Sequence, residues 1–163
     1  MNGKTSKPQR GEAKASKDEE LRQRALDLAA STTTGVLGTL DGEGYPYTSL
    51  VELVFDGKEN FWLLLSDLAV HTKNVRRDER ASVLLHELPA EKESGLASQR
   101  ATYLGRLIQE EAHEEIRQAY LQQHGHAKNY IEFSDFRFFR LHVQRVRLVA
   151  GFGQMGWLRG ALG

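Results

Sequence analysis

The sequence predicts an α+β fold in which six or seven mostly antiparallel strands curl into a small closed or half-closed barrel with three helices at its edges. Apolar and β-branched runs of strand length recur from residue 32 to residue 149, and short turns rich in Gly and Asp separate the first three of them. Three other stretches, two of them with helical spacing, predict the helices. Closure into a barrel would remove the exposed strand edges that a long meander otherwise leaves.

The N-terminal segment contains one predicted boundary. Residues 1–15 carry several lysines with Gly, Ser and Pro and almost no apolar side chain, so we expect a disordered tail, followed by a single domain over residues 16–163. Ser16 and Glu19 have the spacing of a capping box, in which both side chains bond to free backbone amides at a helix start. Apolar residues at helical spacing then predict a first helix over residues 18–30.

The strand-rich part of the chain opens with a predicted meander. Its three strands are expected at residues 32–40, 47–55 and 61–65, joined by tight turns and therefore antiparallel. The remaining predicted elements are a loop entering a short helix within 66–78, strands at 81–86 and 100–108, a helix over 110–123 that Gly125 ends, and one or two strands over 136–149.

Composition excludes several classes of function. Lys and Arg together number 22, and so do Asp and Glu, so the formal net charge is zero, which argues against a protein dedicated to nucleic acid or to an anionic membrane surface. The absence of cysteine excludes disulfides, thiol nucleophiles and iron–sulfur clusters. No apolar run approaches the roughly 20 residues of a membrane span, and no signal peptide is visible. We therefore expect a cytoplasmic protein with no nucleic-acid or membrane partner.

Motifs for several catalytic chemistries are absent from the sequence. It has no nucleophile elbow, no phosphate-binding P-loop and no dinucleotide fingerprint, and no pair of carboxylates stands out as an acid–base dyad. The segment His124–His126 lacks further ligands at a suitable spacing, so we expect no metal site. The sequence therefore identifies no catalytic side chain.

The densest polar cluster is Ser66–Asn74, which follows a strand that is apolar throughout. Its hydroxyls, imidazole, amide and ammonium come together at a helix start, where free backbone amides favour a phosphate or another anion. An ordinary loop whose Ser and Thr cap the next helix would contain the same residues, so both interpretations stay open. A second polar segment begins the second strand, where Thr48 and Ser49 point to opposite faces and only one can face a given pocket.

Three segments of the chain resemble the pyridoxamine 5′-phosphate oxidase-related FMN-binding split β-barrel proteins, in particular their haem-utilisation HugZ-type branch. The matching segments are Gly38–Leu40 with Gly44–Ser49, Leu65–Asn74 and Arg80–Ser82, with further matches at 100–105, 135–136 and 151–153. The string Leu68-Ala69-x-His71-Thr72-x-Asn74 is the most specific part of the match. The resemblance covers residues 35–157, which is nearly all of the chain that we expect to be ordered.

This resemblance implies a six-stranded split barrel that forms a homodimer with FMN at the subunit interface, and an FMN-dependent oxidoreductase that acts on an unknown small-molecule substrate. The cofactor-binding residues that it implies are Tyr47, Thr48, Ser49, Leu65, Ser66, Asp67, His71, Thr72, Lys73, Asn74 and Arg100. Two alternatives on the same fold stay open, namely a haem-binding or haem-degrading protein and a non-catalytic flavin-binding module.

The haem alternative has its own sequence expectation. Haem-handling members of the family use a C-terminal histidine as an iron ligand, and no histidine follows His142 in this sequence. We therefore expect weak haem binding, although Asp135 matches a position that those members also use.

Overall fold

Helices and strands alternate irregularly along the chain. The computed structural model describes residues 10–88, 98–151 and 153–160, with side chains from Ala15 onward. The helices are α1 (Arg10–Ser31), α2 (Val70–Arg77) and α3 (Glu114–Gln123), with a 3₁₀ helix at Gly125–Asn129. The strands are β1 (Thr34–Leu40), β2 (Pro46–Glu52), β3 (Val54–Phe55), β4 (Phe61–Ser66), β5 (Arg80–His86), β6 (Arg100–Gln109), β7 (Phe136–Val149) and β8 (Met155–Arg159). The predicted α+β class with one curled antiparallel sheet is confirmed, and the short strands β3 and β8 bring the described strands to eight.

The sheet order explains why the barrel is split. The strands pair in the order β2-β1-β5-β6-β7-β4-β3, with β8 on β7. β1 and β2 form the expected hairpin, but the rest of the predicted meander is wrong, because β4 pairs with β7 and not with β2. The predicted strand 47–55 is broken at Leu53, whose N–H donates to Thr33 O at 2.9 Å. β2 and β4 therefore lie near opposite ends of the hydrogen-bonded path, and the gap between them is the split.

The composition of β4 accounts for its place in the sheet. All residues from 61 to 65 are apolar and buried, and a strand of this kind needs cover on both of its faces. Alternate side chains enter the main barrel core. The others, Trp62 and Leu64, pack in a second cluster with Tyr120 of α3. If β4 lay at the edge of a meander, as the sequence predicts, one of its two apolar faces would be exposed to solvent.

β6 and β7 pair antiparallel, and the register of their pairing shifts between Leu104 and Gly105. A Cβ on Gly105 would lie 2.0 Å from His142 O, so only glycine fits this close approach. The N–H of Glu110 donates to Phe138 O at 3.2 Å, which keeps the chain extended past the end of β6. α3 consequently begins at Glu114 and not at residue 110 as expected.

Two N-terminal expectations are corrected by α1. The helix begins at Arg10, so residues 10–15 are helical and not part of a disordered tail, and Ser16 lies inside the helix and not at its cap. Ala, Lys and Glu dominate residues 12–15 and have high helix propensity, which extends the helix toward the N-terminus. Residues 1–9 of the expected tail lie outside the described residues. Within the described part of the chain, no helix is long and apolar enough to cross a membrane.

Candidate functional site

A cavity of about 240 Å³ lies at the split between β2 and β4. Its lining residues are Leu50, Val51, Glu52, Leu64, Leu65, Ser66, Ala69, His71, Tyr120, Tyr130 and Phe136. Apolar and aromatic side chains with a few polar groups are the usual lining of a small-molecule site. A larger groove of about 560 Å³ runs beside Thr32–Thr34 and β5. None of the residues implied by the resemblance lines that groove, so we take the smaller cavity as the candidate site.

His71 is one of the polar residues that line the cavity. Its Nδ1 lies 3.0 Å from Ser49 Oγ, so a residue of β2 holds the ring of a residue on α2. Burial lowers the pKa of His71, which favours the neutral imidazole near neutral pH. In the tautomer that carries its proton on Nδ1, that N–H donates to Ser49 and Nε2 keeps a lone pair. This is the arrangement in which histidine binds a metal.

Hydrogen bonds fix the turn between β4 and α2. Ser66 Oγ donates to Asp135 Oδ2 at 3.1 Å and accepts from the N–H of Leu68 at 3.2 Å. The N–H of Asp67 donates to Asp135 O at 2.7 Å. Arg76 donates to Asp67 Oδ1 at 2.6 Å, so the carboxylate of Asp67 is engaged within the protein. The turn is therefore a rigid support that sets the start of α2, and with it His71, beside the cavity.

Two residues of the predicted anion site point into the protein. Asn74 is buried, and its Nδ2 donates to Thr39 Oγ1 at 3.0 Å. Thr72 is completely buried, and its Oγ1 has no hydrogen-bond partner among the described residues. Neither side chain lines the cavity. Of the helix-start residues that sequence reasoning singled out, the structure places only His71 at the cavity wall.

The remaining implied residues divide between the cavity and the surface. Leu65 and Ser66 line the cavity. Ser49 does not line it but is hydrogen-bonded to the lining residue His71. Four implied residues lie elsewhere, namely Tyr47, Thr48, Lys73 and Arg100. The first three of these are exposed, and Arg100 begins β6 opposite His86 and Val149. Thr48 and Ser49 do point to opposite faces, as strand alternation predicts.

Sequence reasoning missed a second polar group at the cavity. Glu52 accepts from His126 Nε2 at 2.9 Å and from the Tyr130 hydroxyl at 3.4 Å. His124 lies beside them, with its Nδ1 3.6 Å from Glu52 Oε1. Glu52 and His126 are 74 residues apart along the chain, so no local spacing could have joined them. Among residues 10–88, 98–151 and 153–160, no group of three or more His, Asp or Glu side chains is arranged to hold a metal ion.

Comparison with known proteins gives one family and several relatives. The chain matches the family described as CREG, β-barrel, over residues 17–161. A chloroplastic haem oxygenase, HOZ, from Arabidopsis thaliana is 36% identical over 121 residues, which are 72% of this chain and 36% of that protein. The haem oxygenase HutZ from Vibrio cholerae is 28% identical over 123 residues, which are 72% of this chain and 69% of that protein.

Two solved structures extend the comparison. A haem-binding protein from Mycobacterium smegmatis superposes with a TM-score of 0.75 at 37% identity, covering 95% of this chain and 60% of that chain. A putative pyridoxamine 5′-phosphate oxidase from Listeria innocua superposes with a TM-score of 0.59 at 18% identity, covering 79% of this chain and 98% of that one. The second likeness shows the fold alone. The chain thus spans little more than a third of the plant relative and three fifths of the mycobacterial protein.

These comparisons contradict FMN as the expected cofactor. The plant and Vibrio relatives are named as haem oxygenases, and the mycobacterial structure is named as a haem-binding protein. The split-barrel part of the resemblance is confirmed, whereas its flavin part is wrong.

Proposed function

The chain belongs to the CREG β-barrel family, and because relatives that it matches are named for haem, we propose that it binds haem in the cavity between β2 and β4. The observation that carries the proposal is the pairing of His71 with Ser49 at 3.0 Å. A haem iron needs an axial ligand, and a neutral histidine whose second nitrogen is hydrogen-bonded is a common one. The apolar side chains of Leu50, Leu65 and Phe136 suit the macrocycle, so the residues present fit the group. When bound, haem would supply its own redox chemistry.

This proposal replaces the expectation of weak haem binding. That expectation counted only histidines after His142, and it assigned His71 to a flavin. His71 supplies an imidazole from the middle of the chain instead. Asp135, which matches a position used by haem-handling members, acts here through Ser66 and the turn that precedes α2.

The cavity is small for a macrocycle, which supports a site shared by two copies of the chain. Ligand sites usually measure about 300–1,000 Å³, and this cavity measures about 240 Å³. One row of cross-strand neighbours on the sheet face opposite the core consists of Leu50, Val36, Leu84, Thr102, Arg147 and Trp157. At its two ends Leu50 is 76% and Trp157 is 53% exposed, and large exposed apolar side chains on one face favour an interface. A homodimer that covers this face would cover the rim of the cavity at Leu50.

The homodimer has its own test. Sedimentation equilibrium of the purified chain should give twice the monomer mass, and Leu50→Asp should shift the equilibrium toward the monomer because it places a charge in the covered face. Haem affinity should fall in the same variant. A monomeric wild-type chain would exclude the shared site.

Oxidative haem degradation is the second candidate function. It is favoured by the 36% identity to a relative that is named as a haem oxygenase. Here O₂ would be the oxidant and a separate reductase or small reductant the electron source. Haem-loaded protein in air with a reductant should lose its Soret absorbance, and the loss should stop under nitrogen. Retention of the Soret band under both conditions would restrict the function to binding.

Haem titration of the purified chain tests the main proposal. We expect saturation at one haem per chain with a Soret band distinct from that of free haem. His71→Gln should weaken binding at least about tenfold, since it removes the iron ligand. His113→Gln is the matched control, because His113 is exposed and does not line the cavity. Equal affinities of the two variants would exclude His71 as the ligand.

A further inference from the structure

The position of His71 depends on how α2 is held against the sheet. α2 has only eight residues, and its N-cap residue, Ala69, makes no side-chain capping hydrogen bond. A helix of this length is marginal by itself, so tertiary contacts must set its placement. Its buried side chains are Thr72, Asn74 and Val75, and His71 is half-buried beside them. The contacts of this buried face therefore decide where the His71 ring lies.

Two side-chain hydrogen bonds tie α2 to the hairpin of β1 and β2. In one, His71 Nδ1 lies 3.0 Å from Ser49 Oγ of β2. In the other, Asn74 Nδ2 donates to Thr39 Oγ1 of β1 at 3.0 Å. Asn74 is 4% and Thr39 is 3% exposed, so water does not compete for the second bond. The helix is thus anchored at two points, three residues apart along its length.

The hydroxyl of Thr39 has a fixed direction. It donates to the carbonyl oxygen of Tyr47 at 3.4 Å, so its lone pairs are free to accept from Asn74. Tyr47 is the cross-strand partner of Thr39, and Ser49 is the cross-strand partner of Leu37, two residues earlier on β1. Because the backbone ladder fixes these pairs relative to each other, the hairpin presents both anchors to α2 as one rigid unit.

The bond to Thr39 resists rotation of α2 about its own axis. In a helix with 3.6 residues per turn, Asn74 lies about 60° to one side of His71 and Thr72 about 100° to the other. Thr72 Oγ1 has no hydrogen-bond partner among the described residues, so the hydroxyl on that side adds no restraint. Side chains extend about 5–6 Å from a helix axis, so a rotation of about 10° would move the His71 ring by about 1 Å. A shift of that size is enough to break a hydrogen bond of 3.0 Å to Ser49.

We propose that Thr39 is a positioning residue for His71, which acts through Asn74 to fix the rotation of α2 and thereby the direction in which Nε2 of His71 faces the cavity. This role rests on the proposed binding of haem by His71. Thr39 does not line the cavity, so its effect on a ligand has to pass through the helix. Without the Thr39 hydroxyl, Asn74 Nδ2 would be buried with no acceptor, and α2 would turn to bring it to another one.

Haem titrations of three variants test this role. Thr39→Val keeps the shape of the side chain and removes the acceptor, so it should weaken haem binding about threefold to tenfold, as expected for a residue that acts on a site without touching the ligand. Thr39→Ser keeps the hydroxyl and should restore the affinity of the wild type. Thr72→Val is the matched control, because it makes the same change at a buried hydroxyl of α2 that has no partner among the described residues. Its affinity should equal that of the wild type.

The His71→Gln background separates positioning from stability. In that background Thr39→Val should cause no further loss of haem affinity, because the group that it positions is absent. Its effect on the free energy of unfolding in urea should be the same in both backgrounds. A loss of haem affinity of equal size with and without His71 would show that Thr39 acts through general stability, which overturns the proposal.

A measurement on the haem-free chain keeps this proposal distinct from haem binding itself. Nitrogen-15 NMR of the His71 ring should show one tautomer, protonated at Nδ1, in the wild type and in Thr72→Val, and a mixture of tautomers in Thr39→Val. A wild-type chain that binds no haem refutes the proposed function, and the NMR comparison still decides the role of Thr39. Identical nitrogen shifts of His71 in the wild type and in Thr39→Val overturn that role, whether or not haem binds.

Discussion

The hydrogen bond between Ser49 and His71 gives the sharpest test of the site. Ser49→Ala removes the Oγ that lies 3.0 Å from Nδ1, so the imidazole loses the group that fixes its orientation and tautomer. Loss of such an orienting partner typically costs about 10- to 100-fold in metal affinity. At about 1.4 kcal/mol per tenfold, this corresponds to about 1.4–2.8 kcal/mol of binding free energy. The fold should survive, since one partly buried neutral hydrogen bond contributes only about 1 kcal/mol to stability.

Thr48→Ala is the matched control for this variant, because Thr48 is adjacent on β2 and points to the opposite face. The assay is an absorbance titration with haem, accompanied by urea unfolding of each apoprotein. In the His71→Gln background, Ser49→Ala should cause no further loss, because the group it positions is already absent. Ser49→Ala with the same haem affinity as Thr48→Ala would show that His71 is not an iron ligand held by Ser49.

Three further predictions concern the fold and its pH dependence. Gly105→Ala should lower the free energy of unfolding by at least about 2 kcal/mol in urea titrations, because its Cβ would collide with the carbonyl oxygen of His142; unchanged stability would mean that the β6–β7 pairing differs from the one described. Tyr103→Phe should cost about 1 kcal/mol by removing the hydroxyl that donates to Ala25 O at 2.6 Å, and the loss should appear in the urea midpoint. Burial lowers the pKa of His71, so the unfolded chain takes up this proton first, and stability should fall as pH drops below about 6.5. His71→Gln should lack that component when unfolding is compared at pH 7.5 and pH 5.5, and an identical pH dependence would count against a buried neutral His71.

Local patterns in the sequence were sufficient for most of the secondary structure. Helical spacing predicted α1 and α3, and β-branched runs bounded by turns predicted β1, β4, β5, β6 and β7 to within a few residues. These signals are local, because side-chain periodicity reflects which face of a single element is buried. The strand β8 escaped prediction because five residues carry little periodicity, and β3 was predicted only as the end of the strand at 47–55.

Strand pairing could not be read in the same way. Two neighbouring apolar strands joined by a tight turn favour a hairpin, yet β4 lies beside β7. The decision depends on how many faces of β4 must be covered, and α3 covers the second face only after the chain has returned from residue 114 onward. Which pairing of β4 is more stable therefore depends on the arrangement of the whole chain. The residues of β4 alone do not indicate it.

The candidate site was likewise predictable in part from local sequence patterns and in part only from the tertiary structure. The sequence by itself singled out the segment Leu65–Asn74 as a candidate ligand site and predicted that Thr48 and Ser49 face opposite ways. Only the tertiary structure decided that His71 faces the cavity while Thr72 and Asn74 are buried, since the packing of α2 against β1 and β2 selects which helix face turns inward. It alone brought Glu52 to His126 and Tyr130, because partners more than 70 residues apart are joined by the packing of the 3₁₀ segment beside β2 and not by any spacing along the chain.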